Sequence, residues 1–407
     1  MAMSAACAGG EPKIPGRAES AAPEGGRAAP SPSPTPASRV PALLRTMSVE
    51  QKVGQLFVPT IPGTGAARGA ALVRKYHLGG VIYFPDNMRS PRQTAALSNA
   101  LQRAAMKSGV PLLISTDEEQ GTVTRVPFIT RFPSSRALAG TRDPEADVRT
   151  AARVTGAELR ALGINQNFAP VADVNTNPRN PVIGVRSFGT DPERVARLVG
   201  VAVDAYRAAG VAATAKHFPG HGDTDTDSHT GLPVIGHAKA RWRRLDAPPF
   251  QTAIAHGIDA IMTAHIVMPR LDPARLPGTM SPRVLTGLLR DELGFDGVVI
   301  TDSLQMAGAR ETYGPVRAAV RAVEAGADQL LMPVSLPKAY RGVLAAVRDG
   351  TIPRDRLDQP VSRVLRMKER RGLLTSPYVD TAEAAKVVGS ADHRAAARRV
   401  AAHVRGS

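Results

Sequence analysis

Eight short apolar runs punctuate the chain, at residues 56–60, 81–84, 112–116, 166–171, 213–216, 260–264, 298–301 and 329–332. They do not alternate apolar with polar. Continuous runs of this kind suit strands covered on both faces, as in a parallel sheet. Most are separated by Ala, Leu and Arg-rich stretches of helical period, at residues 91–108, 146–162, 192–209, 282–292 and 313–325. Eight strand-then-helix units over roughly 330 residues fit a TIM (β/α)8 barrel, and a doubly wound open sheet is the alternative α/β architecture.

Several runs close on charge. Residues 112–116 lead into Asp117, Glu118 and Glu119, and residues 298–301 lead into Asp302. A strand-end aspartate can cap a helix, and residues 303–309 could start one. In a barrel, the loops at the C-terminal ends of the strands build the active site, so such carboxylates read as functional.

The densest chemistry lies between Lys216 and His229, where three histidines, three aspartates and a lysine occur together with Gly220 and Gly222. The apolar stretch 211–215 predicts that Lys216 and His217 sit at a strand tip, with the remaining polar groups on the loop that follows. Asp227 precedes His229 by two positions, close enough to hold its imidazole. A metal site is one reading of such residues. A calcium loop is not, because Ser228 and Val234 occupy the positions that need Gly and Glu. A solvated turn explains the charge but not a Lys-His pair at a strand tip, so catalysis is the favoured reading. Asp117, Lys216, His217, Asp302 and the His229 loop should then converge on one mouth.

These segments resemble glycoside hydrolase family 3, in its β-N-acetylglucosaminidase branch. The resemblance runs from about Met47 to Leu374. It rests on the Lys216-His217-Phe218-Pro219-Gly220-His221-Gly222-Asp223-Thr224 block followed by Asp227-Ser228-His229, with residues 47–57, 167–174, 180–189 and 325–328 resembling further family blocks in family order. The resemblance implies a retaining β-N-acetylhexosaminidase acting on peptidoglycan fragments or chitin-type oligosaccharides. Asp302 would be the nucleophile, His229 the acid/base and Asp227 its partner. Asp117, Arg125, Arg186, Lys216 and His217 would hold the sugar, and neither metal nor other cofactor is implied. The 117–125 segment departs from the family's Asp-x-Glu-Gly-Gly-x-Val-x-Arg pattern at Gln120, which takes the first Gly position and would be strained if that backbone needs positive φ. Gly220, Gly222 and Gly231 would let the acid/base loop close over a sugar and open for release. The rival functions are a β-glucosidase or β-xylosidase of the same family, a metal-dependent hydrolase and a non-catalytic sugar-binding lipoprotein.

Composition narrows the picture. With 407 residues and 43% hydrophobic content, the chain can bury a large core. A formal charge of +16 raises nucleic acid as a partner, but the excess is Arg scattered over many helices and aromatics are only 4%. Nucleic acid is therefore not expected, and an anionic cell wall suits the charge better. No stretch has the length of a transmembrane helix, and no Rossmann or P-loop fingerprint occurs. Residues 1–39 are expected to be a disordered, Ala/Pro/Ser-rich tether. Cys7, the one cysteine, lies in a segment resembling a bacterial lipoprotein cleavage region, although no apolar stretch precedes it. A secreted or lipid-anchored surface location is expected, with the cytoplasm as alternative. Residues 40–375 would form the catalytic domain and 376–407 a helical tail, in which residues 387–404 resemble the lead-in helix of the second domain of larger relatives.

Overall fold

The structure, a computed structural model, describes residues 38–228 and 231–405. Residues 1–37 of the expected tether and His229 lie outside the described residues. Eight strands run in chain order: β1 (Phe57–Val58), β2 (Gly80–Ile82), β3 (Leu113–Thr116), β4 (Gln166–Asn167), β5 (Ala212–Phe218), β6 (Ala260–Thr263), β7 (Val298–Ile300) and β8 (Leu330–Leu331). All pair in parallel. Strands β2 to β7 form a six-stranded sheet in sequential order, and β1 pairs with β8. Single parallel bridges Thr60–Ile82 and Ile300–Gln329 run between these two sheets. Sequential order is not that of a doubly wound sheet, whose strand order reverses at a switch point.

Both faces of β1, β2, β6, β7 and β8 are apolar, which explains those unbroken runs, whereas β4 is the polar pair Gln166–Asn167. Phe57, Val81, Ile261, Val299 and Leu330 face the helices and join the main core. Their neighbours Val58, Ile82, Met262, Ile300 and Leu331 cluster with Phe168 on the other face. Ala260 and Val298, one turn of the pleat earlier, meet Val364, Met367 and Leu373 at the N-terminal ends of the strands. Helix Arg354–Arg370 therefore caps that end. Helices Pro91–Ala105, Pro144–Ala161 and Pro192–Ala208 lie close to their predicted positions, each opening on a side-chain cap with Pro at its start. The predicted 313–325 helix begins earlier, at Ala307, and is broken at Gly314 and Pro315.

Beyond residue 375, helices Thr381–Val387 and Ala391–Arg405 follow. They are tied to the body: Asn99 exchanges two hydrogen bonds with the Val379 backbone, at 2.7 and 2.9 Å, and His393 Nδ1 lies 2.8 Å from buried Glu158. At the other end Ser38 and Arg39 bond the Glu369 carboxylate.

Gln120 does adopt positive φ, at 69°. Such a conformation costs a non-glycine residue roughly 1–2 kcal/mol. Its buried amide compensates by donating to Thr130 O and Thr155 Oγ1 and accepting from Phe132 N. Three hydrogen bonds at about 1 kcal/mol each offset the strain. Gly121, also at positive φ, has no such freedom, because a Cβ there would lie 2.7 Å from Ser134.

Lys368 is fully buried on the capping helix, with its Nζ donating to Gln55 Oε1 at 2.6 Å. Burial alone pulls its ammonium down to about 7. The folded value lies below the unfolded one near 10.4, so this group's contribution to stability is fully present above pH 10.4 and lost as pH falls toward 7. Lys368→Met should remove that slope, which is worth up to about 1.4 kcal/mol per pH unit. Urea unfolding of both proteins between pH 6 and 10 tests this; parallel stability curves would refute it.

Candidate active site

The C-terminal ends of the strands open on a cleft of about 410 Å³. Asp117, Arg125, Arg186, Lys216, His217 and Asp302 all line it, from segments spread over most of the chain. Phe84, Met262 and Leu331 line it as well and belong to the inner apolar cluster, so the site rests directly on packed core.

Strand alternation explains the first cluster. Strand β3 ends at Thr116, and Asp117 and Glu119, two apart, both face the cleft. Lys216, near the end of β5, lies between them with Nζ 2.7 Å from Asp117 Oδ1 and 2.6 Å from Glu119 Oε1. Arg186 then grips Glu119 with two parallel bonds of 2.8 Å. Burial would raise Glu119, but Lys216 and Arg186 outweigh it and hold the carboxyl far below the ordinary range. Burial likewise opposes the Lys216 charge, and Asp117 and Glu119 raise it above its usual value. Two cations and two carboxylates thus balance in a nearly dry site.

Glu119 is not among the site residues expected from the sequence. The signal is its spacing, since a carboxylate two places past Asp117 points the same way. Glu118 turns the opposite way and is fully buried, with one oxygen accepting from the backbone N–H of Arg125 and Val126. Burial pushes its carboxyl up to about 7, against those two N–H groups. It thereby pins the segment that delivers Arg125, whose guanidinium lies 5.7 Å from the centre of the Phe84 ring.

His217 is oriented from behind. Asp173, fully buried after β4, sits 2.7 Å from His217 Nδ1 and also accepts from the backbone N–H of His217 and His221. Burial opposes its ionisation, but His217 and His221 hold the carboxyl below its normal range. The other His217 nitrogen, Nε2, faces the cleft, 3.4 Å from Arg186 Nη2. In the sequence Asp173 is one residue of the 167–174 block, and its position beside His217 is set by chain pairing.

Asp302 follows β7 and is half-buried. Its Oδ1 accepts from the Ser303 backbone N–H at 2.7 Å. It caps no helix, since helix Ala307–Ala325 starts from Met306. Burial alone would raise it, but His217, His265, the Ser303 N–H and Lys216 together lower it. His265 lies just past β6, with Nε2 3.0 Å from the Ser303 carbonyl oxygen.

The loop after β5 places Ser228 in the cleft, where its hydroxyl lies 2.8 Å from His221 Nε2. Burial lowers the His221 value, which favours a neutral ring. Asp227 is half-buried beside Ser228 and does not line the cleft. His229 itself is outside the described residues. Among the described residues, no three His, Cys, Asp or Glu side chains converge to hold a metal ion, and no helix is long and apolar enough to cross a membrane.

Known proteins resemble the chain over most of its length. The glycosyl hydrolase family 3 N-terminal domain matches residues 48–367. A β-hexosaminidase A from Pseudoalteromonas piscicida is 39% identical over 349 residues, which are 79% of this chain and 58% of the relative. A β-N-acetylglucosaminidase/β-glucosidase from Cellulomonas fimi is 37% identical over 368 residues, covering 88% of this chain and 64% of the relative. The chain therefore spans less than two thirds of either protein. A solved family 3 β-N-acetylglucosaminidase from Paenibacillus sp. superimposes with a TM-score of 0.83 at 45% identity, over 88% of this chain and 69% of that one. With a domain match spanning all eight strands and all of the cleft-lining residues, the chain belongs to glycosyl hydrolase family 3.

Proposed function

We propose that the chain is a retaining β-N-acetylglucosaminidase that removes terminal N-acetyl-β-D-glucosamine from peptidoglycan fragments or chitin-type oligosaccharides. The observation that carries this reading is the ionised Asp302 at a strand tip, in one cleft with Asp117, Arg125, Arg186, Lys216 and His217. The names of the relatives supply the sugar class. The architecture we infer is a closed (β/α)8 barrel. It is supported by the β1–β8 pair, by the bridges Thr60–Ile82 and Ile300–Gln329, and by an inner cluster drawing residues from β1, β2, β6, β7 and β8 together with Phe168 just past β4.

In this reading Asp302 attacks the anomeric carbon while the leaving oxygen takes a proton from His229, giving a glycosyl ester and an alcohol. Asp227 favours the imidazolium that the first step requires. His229 then removes a proton from water as it opens the ester, so configuration is retained. The sugar hydroxyls are held by the charge network: Asp117 accepts, while Lys216, with two of its three protons committed to carboxylates, has one left to donate. An Asp302 carboxylate lowered in the folded state stays anionic through the neutral range, as a nucleophile must.

Residues 1–37 lie outside this chemistry, and Cys7 is proposed as the attachment point of a lipid that holds the enzyme at the cell surface. Deleting residues 1–37 should then leave kcat/KM unchanged and shift the protein from membrane to soluble fractions. An unmodified Cys7 thiol in native protein, shown by mass spectrometry, would overturn the anchor.

Asp302→Ala should reduce turnover of an aryl N-acetyl-β-glucosaminide by about 10⁴-fold or more, the scale expected when a covalent nucleophile is lost. A fluorinated N-acetylglucosaminyl donor should label Asp302 in the wild type; label on Asp117, or on no carboxylate, would refute the assignment. An aryl glucoside and an aryl xyloside, assayed in parallel, decide between this activity and the other glycosidases of the family.

His229→Ala should cost ~10² to 10⁴-fold with poor leaving groups, and far less with a dinitrophenyl glycoside that departs without protonation. Asp227→Ala should follow the same trend more mildly. Equal losses across leaving groups would assign His229 to sugar binding instead.

A further inference from the structure

The segment that carries Asp227 and His229 is held at its base by three residues that do not line the cleft. His237 is buried, with Nδ1 2.7 Å from Asp246 Oδ2 and Nε2 2.8 Å from Asp223 Oδ2. Asp223 and His237 bracket residues 224–236, so the contact between them closes the stem of that loop. We propose that Asp223, His237 and Asp246 form a staple that positions the acid/base loop over the cleft. They are positioning residues for the proposed reaction.

Each end of the staple is anchored to packed structure. Asp246 is buried between helices Lys239–Leu245 and Ala247–Ala255. Trp242, on the first of these, donates its indole N–H to Pro219 O at 2.8 Å. Gly220 has φ 130°, and a Cβ there would lie 2.8 Å from Asp246, so the exit of β5 is pressed against this carboxylate. Next to Asp223, Gly222 abuts the backbone of Val174, where a Cβ would fall 1.8 Å from its carbonyl oxygen. On the returning side, Ile235 N and Val267 N donate to Val267 O and Pro233 O at 2.9 Å each. Both stems are thus fixed, and the imidazole joins them.

Charge supports the geometry. Only an imidazolium can donate from both nitrogens, and a neutral ring would turn a lone pair toward one of the two carboxylates. Burial opposes the charge on His237, and Arg241, 3.4 Å from Asp223, opposes it too, but Asp246 and Asp223 prevail and raise it. Asp246 faces His237, Asp173 and Asp223; burial raises its carboxyl, against the His237 imidazole. General-acid catalysis is lost steeply with distance, since a displacement of about 1 Å can cost ~10² in rate. A staple at the stem therefore controls proton donation without touching sugar.

The test rests on His229 as the acid/base and is arranged so that the two ideas fail separately. Asp223 is partly exposed, so Asp223→Ala removes one jaw of the staple with little risk to folding. The expected result is a drop in kcat/KM about tenfold larger for a poor leaving group than for a dinitrophenyl glycoside, a fraction of the full general-acid effect. Asp223→Asn, which keeps an acceptor for the imidazolium, should recover part of the loss. Amide hydrogen exchange should rise in residues 224–236 of Asp223→Ala and stay at wild-type levels elsewhere. Unchanged exchange in that segment overturns the staple whatever the kinetics. Faster exchange with equal losses on both substrates overturns its catalytic role. If His229→Ala shows no leaving-group dependence, the acid/base assignment fails, and hydrogen exchange alone then decides whether the staple closes the stem.

Discussion

The balance of charge among Asp117, Glu119, Lys216 and Arg186 is the constraint on which the cleft depends. Lys216 is buried in the cleft-facing end of its strand, and an ammonium there is tolerable only between carboxylates. Glu119 supplies one of them and is itself held by two cations. Removing one member of such a buried network typically costs about 3–5 kcal/mol, because the remaining charges are left uncompensated. The same arrangement lines the cleft with donors and an acceptor, so one set of bonds fixes both the stability of the mouth and its polarity.

Around that network, groups at the cleft are held from behind by buried carboxylates. Asp173 orients His217, Glu118 pins the Arg125 segment, and Asp246 reaches the stem of the loop after β5 through His237. Carboxylates dominate this outer layer because a strand tip offers free backbone N–H groups and imidazoles that need an acceptor. The stem of the loop after β5 is fixed by contacts separate from those that line the cleft. That division fits a loop whose ends are clamped to Val174, Pro219 and Val267.

Much of the site is legible in the sequence. Asp302, Asp117, Lys216 and His217 announce themselves as charged residues ending apolar runs, and the fold brings all four to one cleft with Arg125 and Arg186. Strands β1, β2, β6, β7 and β8 are legible for a related reason: apolar on both faces, they read as unbroken runs. Glu119 escapes such a reading because its role exists only in relation to Arg186, 67 residues away, and to Lys216. His237 escapes it because a single histidine between Gly236 and Ala238 carries no local signature. Gln120 reads as a source of strain, and only the partners of its amide show how that strain is met.

The sequence by itself determined the strand and helix alternation, the family and the chemical types at the strand tips, because these depend on period, composition and local motif. Tertiary structure alone decided which carboxylate meets which cation, that buried Lys368 has Gln55 as its partner, and that Asp223 and Asp246 share one imidazole. The physical reason is that burial and electrostatic pairing are properties of distance in space. Local sequence sets which groups can ionise, and only the packed fold sets what each of them faces.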